Sequence, residues 1–254
     1  MDYKKVIPCL DTKDGRLVKG VNFVNLKELG DPAEAAAAYD KAGADELVLL
    51  DITATLERRA TMLEAVERTV KNITVPLTVG GGIASLDDMD RLFDIGVSKV
   101  SMNTAAVKKP EVIQQAADKF GRERITVAVD TRTNEKMSSG FEVMVNGGQK
   151  PTGIDVLQWV RKAEGLGAGA ILPTSMDADG TKAGYDIPMT RAVAQNVSIP
   201  VIASGGAGTL EHLSEAILEG KAAAVLVASI AHFGTFTIKQ MKQHLAKCGI
   251  KVRL

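Results

Sequence analysis

The sequence predicts a single (β/α)8 TIM barrel of the α/β class, built from two duplicated half-barrels over residues 1 to 254. Two glycine-rich stretches of the same form, Pro76-Leu-Thr-Val-Gly-Gly-Gly-Ile83 and Pro200-Val-Ile-Ala-Ser-Gly-Gly-Ala-Gly208, lie 124 residues apart (200 minus 76). Three more strand-and-loop segments repeat in the same order at similar offsets: 7–11 with 127–130, 49–53 with 173–177, and 100–105 with 227–231. Such a duplication gives eight strand–helix units, and 254 residues is a usual length for one barrel.

The first half begins with strand one, predicted over Val6 to Leu10 and ending at Asp11. A long polar stretch from Thr12 to Gly30 follows, and loops of this length are typically lids or binding loops, here with Lys19 as the mobile cation. Asp31-Pro32 predicts the start of a helix that continues to Lys41. The remaining elements of this half are strand two (Glu46 to Asp51), helix two (Thr61 to Val70), strand three at Leu77, helix three from a capping box at Ser85 and Asp88, and strand four (Lys99 to Met102).

In the second half, strand five is predicted over Ile125 to Val129 and ends at Asp130. The polar loop from Thr131 to Gly153 holds alternating apolar residues between glycines, which predicts a small hairpin. Pro173 conflicts with a strand paired on both sides, so we expect a bulge there. The other elements are helix five (Asp155 to Glu164), strand six (Ala170 to Ser175), strand seven from Val201, a helix over Leu210 to Leu218, strand eight (Ala224 to Ala228) and a closing helix (Ile238 to Cys248).

The amino-acid composition limits the kinds of partner and ligand that the chain is expected to bind. Lys plus Arg and Asp plus Glu both number 31, so nothing favours nucleic acid or a membrane, and an anionic substrate must be held by local features. Cys9 and Cys248 have no metal-type spacing, and with no signal-peptide pattern at the amino terminus we expect a cytoplasmic protein. The three histidines do not form a ligand pattern, and the Asp177-Ala-Asp179-Gly180 run lacks the fuller ligand series of a calcium loop. We therefore expect no metal and no cofactor.

Candidate catalytic residues lie where strands one and five end. Chemistry in such barrels occurs at the carboxyl ends of the strands, and strands one and five lie opposite each other across the mouth. A substrate between Asp11 and Asp130 could be protonated on one side and deprotonated on the other. One aspartate after a strand is usually a cap or loop acceptor, but the equivalent placement of two in the repeat favours general acid–base catalysis.

Candidate phosphate sites follow the glycine pairs. Backbone N–H groups approach an anion closely where glycines remove side chains, and the following helix points its positive end there. Glycine pairs also occur in tight turns for purely steric reasons, but the presence of the same pair in both halves of the sequence favours an anion site. The two predicted cradles, which imply a substrate phosphorylated at both ends, are Gly81, Gly82, Asn103 and Thr104 in the first half, and Ser204, Gly205, Gly206, Ala228 and Ser229 in the second.

These residues resemble the cyclase subunits of imidazole glycerol phosphate synthase, from histidine biosynthesis. The resemblance covers residues 7 to 253, and its most specific parts are Asp14-Gly-Arg-Leu-Val-Lys-Gly20, Val79-Gly-Gly-Gly-Ile83, Asn103-Thr-Ala-Ala106, Thr174-Ser-Met-Asp-Ala-Asp-Gly-Thr-Lys182 and Ala203-Ser-Gly-Gly-Ala-Gly208. It implies a lyase in a heterodimer with a glutaminase subunit, which supplies ammonia through the barrel. Phosphoribulosyl-formimino-aminoimidazole carboxamide ribonucleotide would become imidazole glycerol phosphate and aminoimidazole carboxamide ribonucleotide. Asp11 and Asp130 would be the acid and base, Lys19 part of the substrate-covering loop, and Asp179 and Gly180 close to the substrate.

The resemblance also implies an ammonia gate at the opposite face, usually made of two acidic and two basic residues. Lys5, Glu46 and Lys99 match it, but the second acidic place is Ala170. Ser98 stands where an acidic residue facing the glutaminase is common. We expect these changes to affect coupling to the glutaminase and to leave cyclisation intact.

Two alternatives remain open from sequence. The sibling isomerase of the same pathway shares the half-barrel repeat, both aspartates and both cradles but uses no ammonia; Val18-Lys19-Gly20 and Asn103-Thr104 resemble the cyclase more closely. A non-catalytic scaffold for a glutaminase is the other, and the presence of Asp11, Lys19 and Asp130 argues against it.

Overall fold

The structure is a computed structural model that describes residues 3–21, 24–52 and 59–254. For residues 19–21, 24–26 and 59–61 it describes the backbone alone. Residues 53–58 lie outside the described residues, as does the side chain of Lys19.

The described chain alternates strands and helices. The strands are β1 (Lys5–Lys13), β2 (Arg16–Val21), β3 (Val24–Gly30), β4 (Leu47–Asp51), β5 (Leu77–Gly80), β6 (Lys99–Met102), β7 (Ile125–Thr133), β8 (Phe141–Val145), β9 (Lys150–Asp155), β10 (Ala170–Ser175), β11 (Ile202–Ala203) and β12 (Ala224–Val227). The helices are α1 (Pro32–Lys41), α2 (Arg59–Lys71), α3 (Leu86–Ile95), α4 (Thr104–Lys108), α5 (Glu111–Phe120), α6 (Val156–Gly165), α7 (Ile187–Ala194), α8 (Leu210–Leu218), α9 (Ser229–His232) and α10 (Ile238–Lys247). No helix in the described ranges is long and apolar enough to cross a membrane.

A parallel barrel sheet organises these elements. The order β11-β12-β1-β4-β5-β6-β7 continues to β10, which pairs with β7, and every one of these ladders is parallel. Two isolated parallel bridges, Ile171 with Val201 and Thr174 with Ser204, connect β10 to β11. The predicted TIM-barrel fold is confirmed.

Pro173 lies in β10 without the bulge we expected, since all of β10 pairs with β7 in unbroken register. Ile171 and Ser175, two residues to either side, donate their N–H groups to the carbonyls of Pro200 (2.9 Å) and Ser204 (3.3 Å). The N–H that proline lacks would point the same way, toward β11, because alternate residues of a strand bond to the same neighbour. The proline therefore falls where the β10–β11 ladder is reduced to isolated bridges, and the β7 side is unaffected.

Alternation along the strands separates the barrel interior from the surrounding helices. Ile7, Cys9, Val48, Leu172, Ala224 and Leu226 form a small buried interior cluster, and a larger cluster packs the other strand faces against the helices. Polar residues on the same faces as this cluster lie toward both strand ends, because side chains of one face recur every second residue. The interior thus places one polar layer at the base of the barrel and another at its mouth.

The long loop expected after strand one is a hairpin. β1 extends through Lys13, two residues beyond Asp11, and continues into antiparallel pairs with β2, which pairs in turn with β3. Most of this stretch is therefore paired strand in the described residues, and its role as a substrate-covering loop stays a prediction. Strand five behaves alike, since β7 runs to Thr133 and pairs with the predicted hairpin, β8 and β9.

Helix starts follow the sequence signals. Asp31 caps α1 by accepting from the N–H of Ala33 at 2.8 Å, with Pro32 in the first turn. Ser85 and Asp88 form the expected capping box of α3. Local chemistry therefore fixes these helices independently of the barrel.

Candidate active site

A concavity at the carboxyl ends of the strands encloses about 770 Å³ of space that is open to solvent. Most of the predicted site residues line it: Asp11, Asp130, Asp179, Gly180, Ser204, Gly205, Gly206, Ala228 and Ser229. They arrive from β1, β7, the loop after β10, and the ends of β11 and β12, so the parallel sheet alone brings them together. This is the edge of a barrel at which catalytic groups are expected.

Asp130 lies in a perturbed electrostatic environment. Burial raises its pKa to about 6, and the negative charge of Asp179 adds to the rise, while hydrogen bonds from the Asn103 side chain and the Gly148 backbone lower it in part. A carboxyl group with a pKa near 6 accepts and donates protons close to neutral pH. Asp130 therefore has the property that general acid–base catalysis requires.

Asp11 occupies the opposite wall and is only 4% exposed. It follows Cys9 on the interior face of β1, and the Cys9 thiol lies 3.6 Å from Asp11 Oδ1. Both residues line the same pocket as Asp130. The mouth thus offers two carboxylates on different strands to one bound substrate.

The second-half glycine turn has the geometry of an anion site. Gly205 and Gly206 have φ values of 89° and 102°, and a β-carbon on Gly205 would lie 2.9 Å from the Ser175 carbonyl oxygen. Within the described chain, the N–H groups of Gly205, Gly206 and Ala207 make no hydrogen bond to protein. Such N–H groups beside a pocket are available to an anion. The turn thus meets both a steric need and the requirement for a cradle.

Two backbone N–H groups just before α8 already donate to a side chain, so they are not available to an anion. His212 Nδ1 accepts from the N–H groups of Gly208 (3.1 Å) and Thr209 (3.3 Å). Gly208 and Thr209 precede Leu210, the first residue of α8, so His212 occupies two N–H groups between the glycine turn and the helix, and those of the turn itself stay available to an anion. His212 is therefore a capping residue of α8.

The first-half turn repeats the backbone geometry in a different setting. Gly81, φ 95°, packs its Cα against the backbone carbonyl of Asp51, as Gly205 does against Ser175. Both partners follow the 124-residue offset (205 minus 81, 175 minus 51). Gly81 and Gly82 line a separate, smaller concavity next to α2 and α3 and not the large pocket. The duplication is thus visible in the turns, while the described residues do not join the two cradles into one cavity.

Asn103 and Thr104 contact the β8–β9 hairpin. Asn103 Nδ2 donates to the Met144 carbonyl at 3.2 Å, and Thr104 Oγ1 accepts from the Asn146 N–H at 2.9 Å. Asn103 Oδ1 is buried without a hydrogen-bond partner among the described residues. These two side chains fasten the hairpin over Asp130, and one polar atom of Asn103 remains available.

Sequence reasoning did not assign Gly148, Thr174, Ala207 or Lys182 to the site. Gly148 reaches it through the hairpin turn and donates its N–H to Asp130. Thr174, Ala207 and Lys182 line the pocket. Lys182 could have been found, because it ends the motif that contains Asp179, but the fold of the hairpin onto β7 has no short-range signal.

At the base of the barrel, Lys5, Glu46 and Lys99 meet as the resemblance implied. Glu46 is 5% exposed and forms ion pairs with Lys5 and with Lys99, the latter at 2.9 Å. Burial alone would raise the pKa of Glu46, but the two lysines outweigh it and lower the pKa below its ordinary value. One carboxylate therefore serves two cations.

Two other residues at the base were singled out from sequence. Ala170 begins β10 and lies on the same face as Leu172 and Thr174, which line the pocket, so it faces the interior. Ser98 accepts the Leu77 N–H at 3.3 Å and closes the start of β5. Neither residue adds charge to the cluster around Glu46.

The described residues contain no group of three or more metal-ligating side chains. The histidines lie apart: His232 bridges Tyr39 (2.7 Å) and the Cys9 carbonyl (2.8 Å), and His244 lies near Ser214 (3.3 Å). These contacts give the histidines structural partners.

Fold and mouth together define a class of protein: a (β/α)8 barrel whose mouth brings two buried carboxylates and a glycine turn with unbonded N–H groups into one pocket. A family model described as "Histidine biosynthesis protein" matches residues 5–237. The chain belongs to this family and is therefore a TIM-barrel enzyme of histidine biosynthesis.

Proposed function

We propose that this chain is the cyclase of imidazole glycerol phosphate synthase. In the proposed reaction, ammonia combines with the two-phosphate substrate phosphoribulosyl-formimino-aminoimidazole carboxamide ribonucleotide. The products are imidazole glycerol phosphate and aminoimidazole carboxamide ribonucleotide. Closing the imidazole ring forms two carbon–nitrogen bonds, releases an amine and loses water, and each of these steps moves a proton.

The observation that carries this proposal is the charged cluster at the base. A reaction without ammonia has no need of a buried Glu46 between Lys5 and Lys99 at the far end from the chemistry. Ser101, two residues after Lys99 on the same face of β6, is buried and has a hydroxyl without a partner among the described residues. A neutral ammonia molecule moving from base to mouth would find a hydrogen-bonding group halfway along the barrel.

At the mouth, the proposed roles follow from the environment of each carboxylate. Asp130, with a pKa near 6, exchanges protons with the ring atoms, and Asp11 does so from the opposite wall. The turn at Gly205 and Gly206 holds one phosphate, so that binding energy from the end of the substrate positions the reacting carbon. The turn at Gly81 is proposed to hold the other phosphate once the substrate bridges the two concavities.

The proposed partner is a glutaminase subunit that docks at the amino ends of the strands, where Lys5 and Lys99 lie. It would deliver ammonia to the Glu46 cluster. Among the described residues, Ala170 leaves this cluster one carboxylate short of the expected four-residue gate. We infer that the gate seals ammonia less completely.

The isomerase of the same pathway remains the second candidate, because the duplicated turns and both aspartates suit it equally. It would interconvert an aldose and a ketose at one end of a related substrate and would not respond to ammonium. The two activities therefore separate in one set of assays with purified protein: each substrate, with ammonium chloride or with sodium chloride at equal ionic strength.

Asp11→Asn and Asp130→Asn test the acid–base roles in the same assays. Each should remove nearly all turnover, since general acid–base catalysis contributes about 10² to 10⁴-fold, while substrate affinity changes by less than about tenfold. Asp177→Asn is a matched control, because Asp177 has a side chain 47% exposed and bonds the Thr133 N–H outside the pocket. Turnover in either test variant close to that of the control would overturn the roles.

A further inference from the structure

We propose that Lys182 is the cation that binds the substrate phosphate at the Gly205–Gly206 turn. This inference rests on the proposed function, because it assigns a specificity-determining side chain to one phosphate of the same site. It also predicts binding of inorganic phosphate, which is measurable without turnover.

The backbone around Lys182 is fixed against the glycine turn. The Lys182 carbonyl packs against Gly208, so that a β-carbon on that glycine would collide with it. Two residues later, the Gly184 N–H donates to the Gly206 carbonyl at 2.8 Å. Lys182 itself has a φ of 60° and lines the pocket. Its side chain therefore leaves the backbone next to the unpaired N–H groups of the cradle.

The charges of the pocket require a cation there. The charged side chains that line it, among the described residues, are Asp11, Asp130, Asp179 and Lys182. Three carboxylates oppose the entry of a doubly charged phosphate, and a cation at the rim offsets part of that repulsion. Lys182 supplies this positive charge.

The ammonium of Lys182 is not committed to a carboxylate, since it forms no ion pair within the described chain. Its Nζ lies 5.5 Å from the centroid of the Phe233 ring, which is 51% exposed at the end of α9. A contact of this kind at an exposed site is weak and leaves the charge intact. The contact with Phe233 thus leaves the three donors of the ammonium available to a phosphate.

The duplication supports the same role. In the sequence repeat, with its offset of 124 residues, Lys182 corresponds to Arg58 (182 minus 58), which follows β4 in the chain as Lys182 follows β10. Arg58 lies outside the described residues, so the comparison is one of residue type alone. The sequence repeat thus has a cation at the same position of each half.

Lys182→Gly separates a charge role from a structural one. Glycine adopts a φ near 60° without strain, so this variant should keep or raise the melting temperature. Lys221→Gly is the matched control: Lys221 also has a φ of 60°, and it lies just before β12, at the opposite end of the barrel from the pocket. The two variants remove the same charge and relieve the same strain. Lys221→Gly also removes the hydrogen bond from Lys221 Nζ to the Leu218 carbonyl (2.8 Å), so it serves as the control for phosphate binding and not for melting temperature.

We would titrate both variants, Lys182→Arg and the wild type with inorganic phosphate, following ³¹P chemical shifts at two salt concentrations. Lys182→Gly should weaken binding roughly tenfold and flatten its salt dependence, since one charge-assisted contact is lost. Lys182→Arg should stay within about threefold of the wild type, and Lys221→Gly should be unchanged. In turnover assays Lys182→Gly should raise KM with little change in kcat.

The outcomes distinguish this inference from the proposed function. Equal phosphate affinities for Lys182→Gly, Lys221→Gly and the wild type would overturn the role of Lys182, whatever reaction the enzyme catalyses. A tenfold loss in Lys182→Gly alone, without turnover of the cyclase substrate by the wild type, would support the phosphate site and refute the cyclase. Equal losses in both glycine variants would assign the effect to net charge and overturn the inference.

Discussion

Asp130→Asn should stabilise the folded protein at neutral pH while it abolishes activity. The pKa of this carboxyl rises from 3.8 to about 6 on folding, chiefly through burial. A carboxyl with a raised pKa binds protons more tightly in the folded than in the unfolded state, so its ionised form costs stability above the folded pKa. Two pKa units at ~1.4 kcal/mol each give about 3 kcal/mol, and the opening of Asp130 to pocket water reduces this to about 2 kcal/mol.

The pH dependence identifies the cause. At pH 7.5 the variant should be more stable than the wild type by about 2 kcal/mol, or about 4–8 °C in melting temperature for a chain of this size. As the pH falls through 6 toward 4, the wild-type carboxyl takes up its proton in the folded state and the advantage should disappear. Urea unfolding of both proteins at pH 7.5, 6 and 4.5 measures the difference directly.

Asp177→Asn again serves as the control, because its side chain is largely exposed and accepts one backbone hydrogen bond. It should lose a few tenths of a kcal/mol with no gain at any pH. A difference between wild type and Asp130→Asn that is the same at all three pH values would refute the reasoning, and so would a destabilised variant at pH 7.5.

Three further variants test other parts of the site. Asp179→Asn should move the Asp130-dependent limb of the kcat/KM profile to lower pH, because the charge of Asp179 helps to raise the pKa of Asp130; an unmoved limb would contradict this. Ser229→Asp should weaken binding of the phosphorylated substrate at least tenfold by like-charge repulsion, with Ser229→Asn as the neutral control, and equal affinities would place the phosphate elsewhere. Ala170→Glu should bring the ratio of glutamine hydrolysed to product formed nearer to one, by adding a carboxylate beside Glu46 and its two lysines; a wild-type ratio already at one would show that the gate needs no fourth charge.

A substitution in the glycine turn itself is a poor test of phosphate binding. Gly206→Glu would place a like charge in the cradle, but any β-carbon at Gly206 collides with the backbone carbonyl of Gly184. Loss of binding in that variant would therefore not separate electrostatics from misfolding. Ser229 already has a side chain and a pocket-lining position, so a charge there acts without a change in the backbone.

Much of the barrel was predictable because its signals are local. Short apolar runs and capping residues such as Asp31 and Ser85 need no tertiary information, and the duplication adds weight to every matched segment. Because all strands of such a barrel end at the same mouth, the positions of Asp11 and Asp130 after strands one and five predict that both line it.

What sequence missed depends on contacts between distant segments. The hairpin of β8 and β9 lies over β7, and this contact brings Gly148 to Asp130 and ties Asn103 to Met144. His212 caps α8 and occupies the N–H groups of Gly208 and Thr209, next to the predicted anion site. These contacts depend on how separate segments pack together and not on a sequence motif, so residue spacing does not predict them.

Incorporation of ammonia by this barrel can be followed with ¹⁵N-labelled ammonium chloride. Purified wild-type protein would be given phosphoribulosyl-formimino-aminoimidazole carboxamide ribonucleotide and the labelled salt, and both products analysed by mass spectrometry. If the chain is the cyclase, each molecule of imidazole glycerol phosphate should carry one ¹⁵N atom and the released aminoimidazole carboxamide ribonucleotide none. Unlabelled products, or aldose–ketose interconversion with no response to ammonium, would contradict it.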